Sequence, residues 1–409
     1  MLNWLNRFNI FCLLDNHRYK FSDPAFELLA AAGSLDSLTS SAGNYFNDLR
    51  QFTKQHSGEW MFGHLGYDLK NEIENLSSHN FDGIDFPELF FFIPQIILSL
   101  KENILEIGVI DDDADKIFEQ ISFTENLIEE IPSKVNLVSR FSKQEYVSTV
   151  STIKEHINKG DCYELNFCQE FYAENTLIDP VTVYKRLGKL SPNPFAAFYK
   201  LDDKFLMCCS PERYLKKEGT KLISQPIKGT SKRNLENDHQ DEKNKKDLIA
   251  SPKETSENVM VVDLTRNDLS KVCESGSVEV SEFLGLYSFP QVHQMISTVT
   301  GNIDANVNFS DIIQATFPMA SMTGVPKIKV MELIEQHEKT RRGLYSGSLG
   351  YISPTGDFDF NVVIRSIQYN TSDKYLSIQA GAAITNYSVP ENEYEECFIK
   401  IEAMKQALV

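Results

Sequence analysis

The amino-acid sequence predicts a mixed α/β protein with a large buried core. Of its 409 residues, 42% are hydrophobic and 24% are charged. That balance favours a packed core over a disordered chain. Apolar strand-like runs occur at 10–14, 89–98, 195–199 and 375–380, and in the second half they alternate with helix patterns.

Two parts are predicted, residues 1–135 and residues 136–409. The acidic stretch at 111–115 and the Ile131-Pro132-Ser133 break indicate a boundary between about 120 and 140. A helix from Ser142 to His156 opens the second part. The segment from Ser231 to Asp247 is crowded with Lys, Asn, Asp and Glu, and we expect a solvated surface loop or lid there.

The composition excludes several classes of function. A net charge of −18 argues against nucleic acid or an anionic membrane surface as a main partner. No run approaches the roughly 18 apolar residues that a membrane span needs, and the first residues lack the apolar core of a signal peptide. The seven cysteines are odd in number and form no CxxC pair, which argues against a disulfide framework or a zinc site. A cytoplasmic location is expected.

Two predicted helices each carry a pair of acids. Ser251, Pro252 and Glu254 have the pattern of a capping box, which accounts for Glu254 but leaves Glu257 unexplained on the same helix face. The second helix is predicted to begin at a box formed by Ser388 and Glu391.

In the second helix, Glu393, Glu396 and Lys400 share one stripe, which alone is typical of a solvated helix face. Two pairs of carboxylates at i, i+3 nevertheless have the form of an oxygen-ligand site. Mg²⁺ binds a few carboxylates together with water and a substrate oxyanion.

Two further clusters contain groups suited to binding an anion. In residues 225–230, Lys228 is followed by Gly229 and Thr230, which together offer an amine, a hydroxyl and backbone N–H groups. Taken alone, this segment is better explained as a surface turn with a solvated lysine. Near the C-terminal half, Gly324 and Pro326 indicate a helix start with free N–H groups.

Taken in order, these segments resemble the chorismate-utilising enzymes, the family of anthranilate, aminodeoxychorismate, isochorismate and salicylate synthases. The resemblance covers about 140–409 collinearly and is weaker at 63–69. It is carried by the segments 160–166, 210–213, 226–230, 253–268, 321–327, 340–350, 361–365, 379–384 and 393–400.

The resemblance implies a role for individual residues. It implies Mg²⁺ as cofactor, bound by Glu254, Glu257, Glu393 and Glu396, and Glu212 as the general acid that protonates the departing ring hydroxyl. Chorismate would be contacted by Thr230, Ser321, Tyr345, Arg365, Gly381, Ala383 and Lys400. A dianionic substrate would then be held by local cations inside an acidic protein.

Lys228 favours one branch of the family. Aminodeoxychorismate-forming members resemble this chain in having Lys here, whereas the others usually have Ala. The Lys228 amine would add at C2 of the ring while the C4 hydroxyl leaves, and ammonia would then add at C4 and expel the lysine. Lysine at position 164 is typical of isochorismate and salicylate enzymes, so Glu164 argues against both, although aminating members usually have Gln.

A second departure from the family pattern lies in a predicted strand. Gln294 occupies the position of the histidine that assists pyruvate elimination in anthranilate synthases. His293 is one residue away, and a strand would place its side chain on the opposite face. The usual Gly is also replaced by Ala383, which is tolerated if its φ is negative.

The resemblance further implies an α/β fold of two facing, mostly antiparallel sheets with helices outside, completed by the N-terminal part. No glutaminase motif is present, so ammonia is expected from a separate glutaminase subunit. Two alternatives stay open: an anthranilate synthase large subunit, and a non-catalytic regulatory protein that binds chorismate or tryptophan.

Overall fold

The computed structural model describes residues 1–19, 26–110, 113–124, 135–289 and 292–409. The strands within these ranges are β1 Ile10–Asp15, β2 Leu28–Ala32, β3 Asp36–Ser37, β4 Met61–Leu65, β5 Leu89–Ile93, β6 Ile96–Lys101, β7 Ile104–Val109, β8 Val138–Ser139, β9 Glu164–Ala173, β10 Phe195–Leu201, β11 Lys204–Ser210, β12 Arg213–Glu218, β13 Lys221–Gln225, β14 Ile227–Lys232, β15 Glu279–Ser288, β16 Val292–Asn302, β17 Gly324–Val325, β18 Ser348–Ile352, β19 Phe358–Asn361, β20 Ser366–Asn370 and β21 Tyr375–Ile384.

The helices surround these strands. They are α1 Leu2–Leu5, α2 Tyr45–Gln55, α3 Lys70–Glu74, α4 Ala114–Phe123, α5 Lys143–Lys159, α6 Pro180–Leu190, α7 Asp238–Ala250, α8 Pro252–Ser270, α9 Phe309–Thr316, α10 Lys327–His337 and α11 Pro390–Ala407, with 3₁₀ turns at Tyr67–Leu69 and Ala320–Met322.

The strands form two antiparallel sheets. In the described residues the first has the order β17-β9-β21-β20-β11-β10-β1-β2-β6-β7, with β8 also beside β9. The second has the order β14-β16-β13-β12-β19-β18-β4-β5-β3, with β15 also beside β16. Strands from before residue 110 therefore lie in both sheets, as the family resemblance implies.

Side-chain alternation along the strands places the two sheets face to face. On β1, Phe11 and Leu13 pack with the core under α5, α6, α10 and α11, whereas Cys12 packs with Phe62 and Phe92 of the other sheet. A third core lies between the second sheet and α2, α8 and α9. The predicted fold, two facing antiparallel sheets with helices outside, is thus confirmed.

Two predicted segments, one helix and one apolar run, can be compared directly with the structure. The helix predicted at Ser142–His156 is α5, and Ser142 and Glu145 form its capping box. The apolar run 89–98 is not one strand: β5 belongs to the second sheet and β6 to the first. Its residues are almost all apolar because the chain passes directly from one buried sheet to the other, with Pro94 and the exposed Gln95 between the two strands.

The loop predicted at 231–247 is wrong over most of its length. After β14 ends at Lys232, α7 begins with Asn237 as its N-cap, whose side chain accepts a hydrogen bond from the backbone of Gln240. Leu248 and Asp241 are its buried residues. A helix with so few buried residues has almost no periodic pattern of apolar residues. Its amino-acid composition therefore resembles that of a surface loop, which is why the sequence did not predict a helix.

The Ile131–Ser133 break lies outside the described residues, and the 135/136 boundary stays a prediction. Of the helices that the structure describes, none has the length and apolar character needed to cross a membrane.

Candidate active site

Most of the predicted site residues lie where the ends of the two sheets meet α8 and α11. The elements that carry them are β14 for Lys228 and Thr230, the residue before β12 for Glu212, α8 for Glu254 and Glu257, α11 for Glu393, Glu396 and Lys400, a 3₁₀ turn for Ser321, the segment between α10 and β18 for Tyr345, the segment between β19 and β20 for Arg365, and β21 for Gly381 and Ala383.

Lys228 is the central cation of this arrangement. Its Nζ donates to Glu164 Oε1 at 2.8 Å, and the two side chains are 11% and 3% exposed. Burial opposes the ammonium charge, but Glu164, Glu257 and Glu212 outweigh it and raise the pKa of Lys228. The resting lysine is therefore protonated, so its reaction as a nucleophile requires that the proton be removed.

Glu212 is buried and has a strongly perturbed acidity. Burial raises its pKa to about 7, against the opposing effects of Ser321, the Ile227 backbone and the charge of Lys228. The carboxyl group therefore exchanges its proton near neutral pH, which suits a general acid. Ser321 lies beside it, and the contact of its buried hydroxyl with the Glu212 carboxyl is among the effects that lower this pKa.

Helix α8 presents the first pair of acids. The Ser251 side chain caps the helix by accepting from the Glu254 N–H at 3.4 Å, which is one half of the predicted box. Burial raises the pKa of both Glu254 and Glu257, that of Glu257 to about 8. Asn258 donates to the carbonyls of Lys228 and Met295 and so fixes the helix against β14 and β16.

Helix α11 presents the second pair, but its start differs from the prediction. Val389 is the N-cap, Pro390 occupies the first turn, and no side chain caps the helix. The predicted Ser388–Glu391 box is wrong because Ser388 Oγ instead accepts from the Thr385 N–H and contacts the Ala383 carbonyl. It stabilises the turn after β21 and not the helix.

Lys253 joins the two helices. Its Nζ donates to Glu393 Oε1 at 3.1 Å and lies 3.9 Å from Glu257 Oε1. Sequence reasoning missed this residue as part of the site. Its position four residues before Glu257 on one helix face was the available signal.

Lys400 of α11 and Arg365 make a second group of cations, close to Glu396. Lys400 Nζ donates to Glu396 at 2.6 Å and to the Gly381 carbonyl at 2.8 Å. Arg365 donates to the Lys400 carbonyl at 2.7 Å and has a φ of 53°. Burial opposes ionisation of Glu396, but Lys400 and Lys253 lower its pKa overall.

Gly381 lies in a position that only glycine fits. It pairs with Cys168 across β21 and β9, and a Cβ there would collide with the Cys168 sulfur and the Phe167 carbonyl. Tyr345 is buried next to the same sulfur, with 3.8 Å between its hydroxyl and Cys168 Sγ. Ala383 is two residues further along β21, and its φ is not positive. The backbone there accepts alanine in place of the family's usual glycine.

Thr230 and Gln294 lie opposite each other on β14 and β16. Thr230 is exposed, whereas Gln294 is buried and its Oε1 has no hydrogen-bond partner among the described residues. His293 lies on the other face, where its ring nitrogens bond Asp241 and Ser288 at 2.9 Å each. His293 therefore does not replace the histidine that Gln294 displaces.

The carboxylate oxygens of the four acids on α8 and α11 are suitable ligands for a hard divalent cation, but the structure does not arrange them as a coordination site. Within the described ranges, no three Asp, Glu, His or Cys side chains are close enough to hold a metal ion. Lys253 instead bridges Glu393 and Glu257. One oxygen each of Glu257 and Glu393 is buried without a hydrogen bond, which is the condition a cation would relieve.

Comparison with known proteins places this site in a family. The model of the chorismate binding enzyme family matches residues 12–406. Aminodeoxychorismate synthase component 1 of Bacillus subtilis is 33% identical over 361 residues, covering 85% of this chain and 76% of the relative. Anthranilate synthase component 1 of Aquifex aeolicus is 30% identical over 368 residues, covering 85% and 74%.

A solved structure agrees with these relatives. Anthranilate synthase component I from Streptococcus pneumoniae superposes with a TM-score of 0.82 at 25% identity, covering 95% of this chain and 94% of that one. The chain therefore belongs to the chorismate binding enzyme family.

Proposed function

We propose that the chain is the large subunit of an aminodeoxychorismate synthase, which converts chorismate and ammonia to 4-amino-4-deoxychorismate on the way to 4-aminobenzoate and folate. The observation that carries the proposal is the placement of Lys228, a buried lysine between Glu164, Glu212 and Glu257 at the centre of the site. Relatives named aminodeoxychorismate synthase component 1 support it, at 33% identity in Bacillus subtilis and in Klebsiella aerogenes.

The cations of the site suit the charge of chorismate, which carries two carboxylates. Arg365 and Lys400 supply positive charge beside the backbone of Gly381. The buried hydroxyl of Ser321 supplies a polar group next to Glu212. We assign the remaining substrate contacts to Thr230, Tyr345 and the Ala383 backbone.

We assign Mg²⁺ to Glu254, Glu257, Glu393 and Glu396. One oxygen each of Glu257 and Glu393 lacks a hydrogen bond among the described residues, which supports this assignment. When bound, the metal would polarise the ring carboxylate and draw electron density from the diene. Lys253 has to move away from Glu393 for an ion to reach these oxygens.

The protein's own groups then carry the substitution. The Lys228 amine forms a bond with C2 of the ring, the double bonds shift, and the C4–O bond breaks. Glu212 gives its proton to the departing hydroxyl, which leaves as water. Ammonia next bonds to C4 and the reverse shift of the double bonds expels Lys228. The amino group thus ends para to the ring carboxylate.

Anthranilate formation is the second candidate, because anthranilate synthases are also among the relatives. It requires ammonia to add at C2, the position at which Lys228 would react. It also requires elimination of pyruvate, for which Gln294 offers no imidazole. Both residues favour the para-amino product over anthranilate.

The name component 1 in the relatives implies a separate second component, and we propose that it is a glutaminase that supplies ammonia. We place the protein in the cytoplasm, since its seven cysteines are all unpaired thiols, as expected in a reducing compartment.

Chromatography of the product from chorismate, Mg²⁺ and ammonium tests the proposed function. We expect 4-amino-4-deoxychorismate. Anthranilate would establish the alternative enzyme, and binding of chorismate without turnover would establish a regulatory protein.

A further inference from the structure

Glu164 is held against the Lys228 amine by the surrounding backbone. It pairs with Val325 where β9 meets β17, and the Tyr163 N–H donates to the Val325 carbonyl at 2.8 Å. Gly324 has a φ of 153°, and a Cβ there would collide with the Glu164 carbonyl oxygen. This close approach fixes the backbone of Glu164 and with it the direction of the carboxylate.

The carboxylate of Glu164 is incompletely paired. Oε1 accepts from Lys228 at 2.8 Å, and Oε2 is buried without a hydrogen-bond partner within the described residues. A second oxygen in this state is available to bind a proton. Buried polar atoms of this kind are rare, so the carboxylate keeps an acceptor oxygen that no group of the described residues occupies.

We propose that Glu164 is the base that removes the Lys228 proton before the lysine reacts, an inference that rests on the proposed function. The proton passes from Nζ to the Glu164 carboxylate, and the freed lone pair forms the bond to C2. The C4–O bond breaks in the same substitution, and the hydroxide leaves with the proton of Glu212 as water. Charge and protons balance without a further reactant.

The neighbouring acids are less suited to this role. Glu257 faces Lys228 from α8 and is assigned as a metal ligand, whereas Glu212 faces it from the residue before β12 and is assigned as the acid for the departing hydroxyl. Of the three acids, Glu164 is the one in hydrogen-bond contact with Nζ.

Proton transfer within the Lys228–Glu164 pair would give adduct formation a distinctive pH dependence. The ion pair and its neutral form, amine beside carboxylic acid, hold the same number of protons. The fraction of reactive amine is therefore independent of pH while the pair retains one proton. Without the carboxylate, Lys228 has to lose its proton to solvent, and the reactive fraction rises about tenfold per pH unit below the lysine pKa.

The test is the rate at which chorismate forms a covalent adduct on the intact protein, with Mg²⁺ and without ammonia, from about pH 6 to about pH 9. Wild type is compared with Glu164→Gln, Glu164→Asp and the control Glu332→Gln, which removes a carboxylate from an exposed Lys329–Glu332 pair. Since Glu212 titrates in every variant and Glu164 is not among the groups that shift its pKa, its contribution cancels in the ratio of rates.

We expect the ratio of wild-type to Glu164→Gln rates to be large at low pH and to fall by about tenfold per pH unit. Glu164→Asp should keep the wild-type pH dependence at a lower rate, because it retains a carboxylate. This variant still tests the inference if Glu164→Gln folds poorly. Glu332→Gln should match wild type. A Glu164→Gln variant that is as fast as wild type, or faster, at every pH would overturn the inference.

Failure of the proposed function gives a different result. Wild type would then form no adduct at any pH. An adduct on Lys228 with identical pH dependence in wild type and Glu164→Gln would leave the proposed function intact and reject Glu164 as the base.

Discussion

Lys253 Nζ lies 3.1 Å from Glu393 Oε1 and thereby joins α8 to α11 across the candidate metal site. The same amine is 3.9 Å from Glu257. One lysine therefore supplies positive charge to an acid on each helix, in the position where the proposed function places a divalent cation.

Replacement of Lys253 by Met should make the protein more dependent on Mg²⁺. Two buried acids would lose their shared cation, and we expect the metal-free form to be destabilised by about 1–3 kcal/mol. The increase in Tm on adding Mg²⁺ should exceed that of wild type. Equal Mg²⁺-induced shifts in the two proteins would show that Lys253 and the metal do not share a site.

Glu396→Gln should reduce turnover by at least about a hundredfold, roughly 2.7 kcal/mol, because it removes one of the proposed metal ligands. Glu257→Gln should have a similar effect. The Mg²⁺-dependent increase in Tm should also shrink in both variants. Near-normal activity of Glu396→Gln without added metal would reject the assignment.

Adduct formation by the wild-type chain should decline above about pH 7. Glu212 has its pKa raised to about 7 by burial, and it has to be protonated to act as the acid. Because the pKa is raised, the active form predominates below that pH and is lost as the pH rises through it. Glu212→Gln should remove this decline along with most of the activity. A wild-type rate that stays constant well beyond pH 7 would contradict the role of Glu212.

The elements that could be predicted are those with a strong local signal. The cap of α5 at Ser142 follows from capping chemistry, and the strand β21 follows from a mainly apolar run. The start of α11 could not be predicted, since Ser388 serves the preceding turn through Ala383, a contact that only the fold creates.

The candidate site also combines features with a local sequence signal and contacts that only the fold creates. The two acid pairs and Lys228 follow from spacing and family resemblance. The contact between Lys228 and Glu164 joins residues 64 positions apart, and it depends on how β9 and β14 of different sheets approach each other. The rise in the pKa of Lys228 follows from this contact, so sequence alone could not show that the lysine rests in its protonated form.

The nitrogen donor gives a further prediction. With glutamine as the sole donor, the isolated chain should be inactive, because we assign glutamine hydrolysis to a separate subunit. High ammonium at alkaline pH should support turnover, since more free NH₃ is present. A purified single chain that uses glutamine directly would contain a glutaminase that we have not identified.

The most direct test of the central claim is to locate the covalent intermediate. Wild-type protein quenched with chorismate and Mg²⁺ but no ammonia should gain one adduct by intact mass, and peptide mapping should place it on Lys228. Lys228→Ala should show no adduct and a severe loss of 4-amino-4-deoxychorismate, with any residual amination diverted to C2. A Lys228→Ala variant that makes the para-amino product at the wild-type rate would contradict the account.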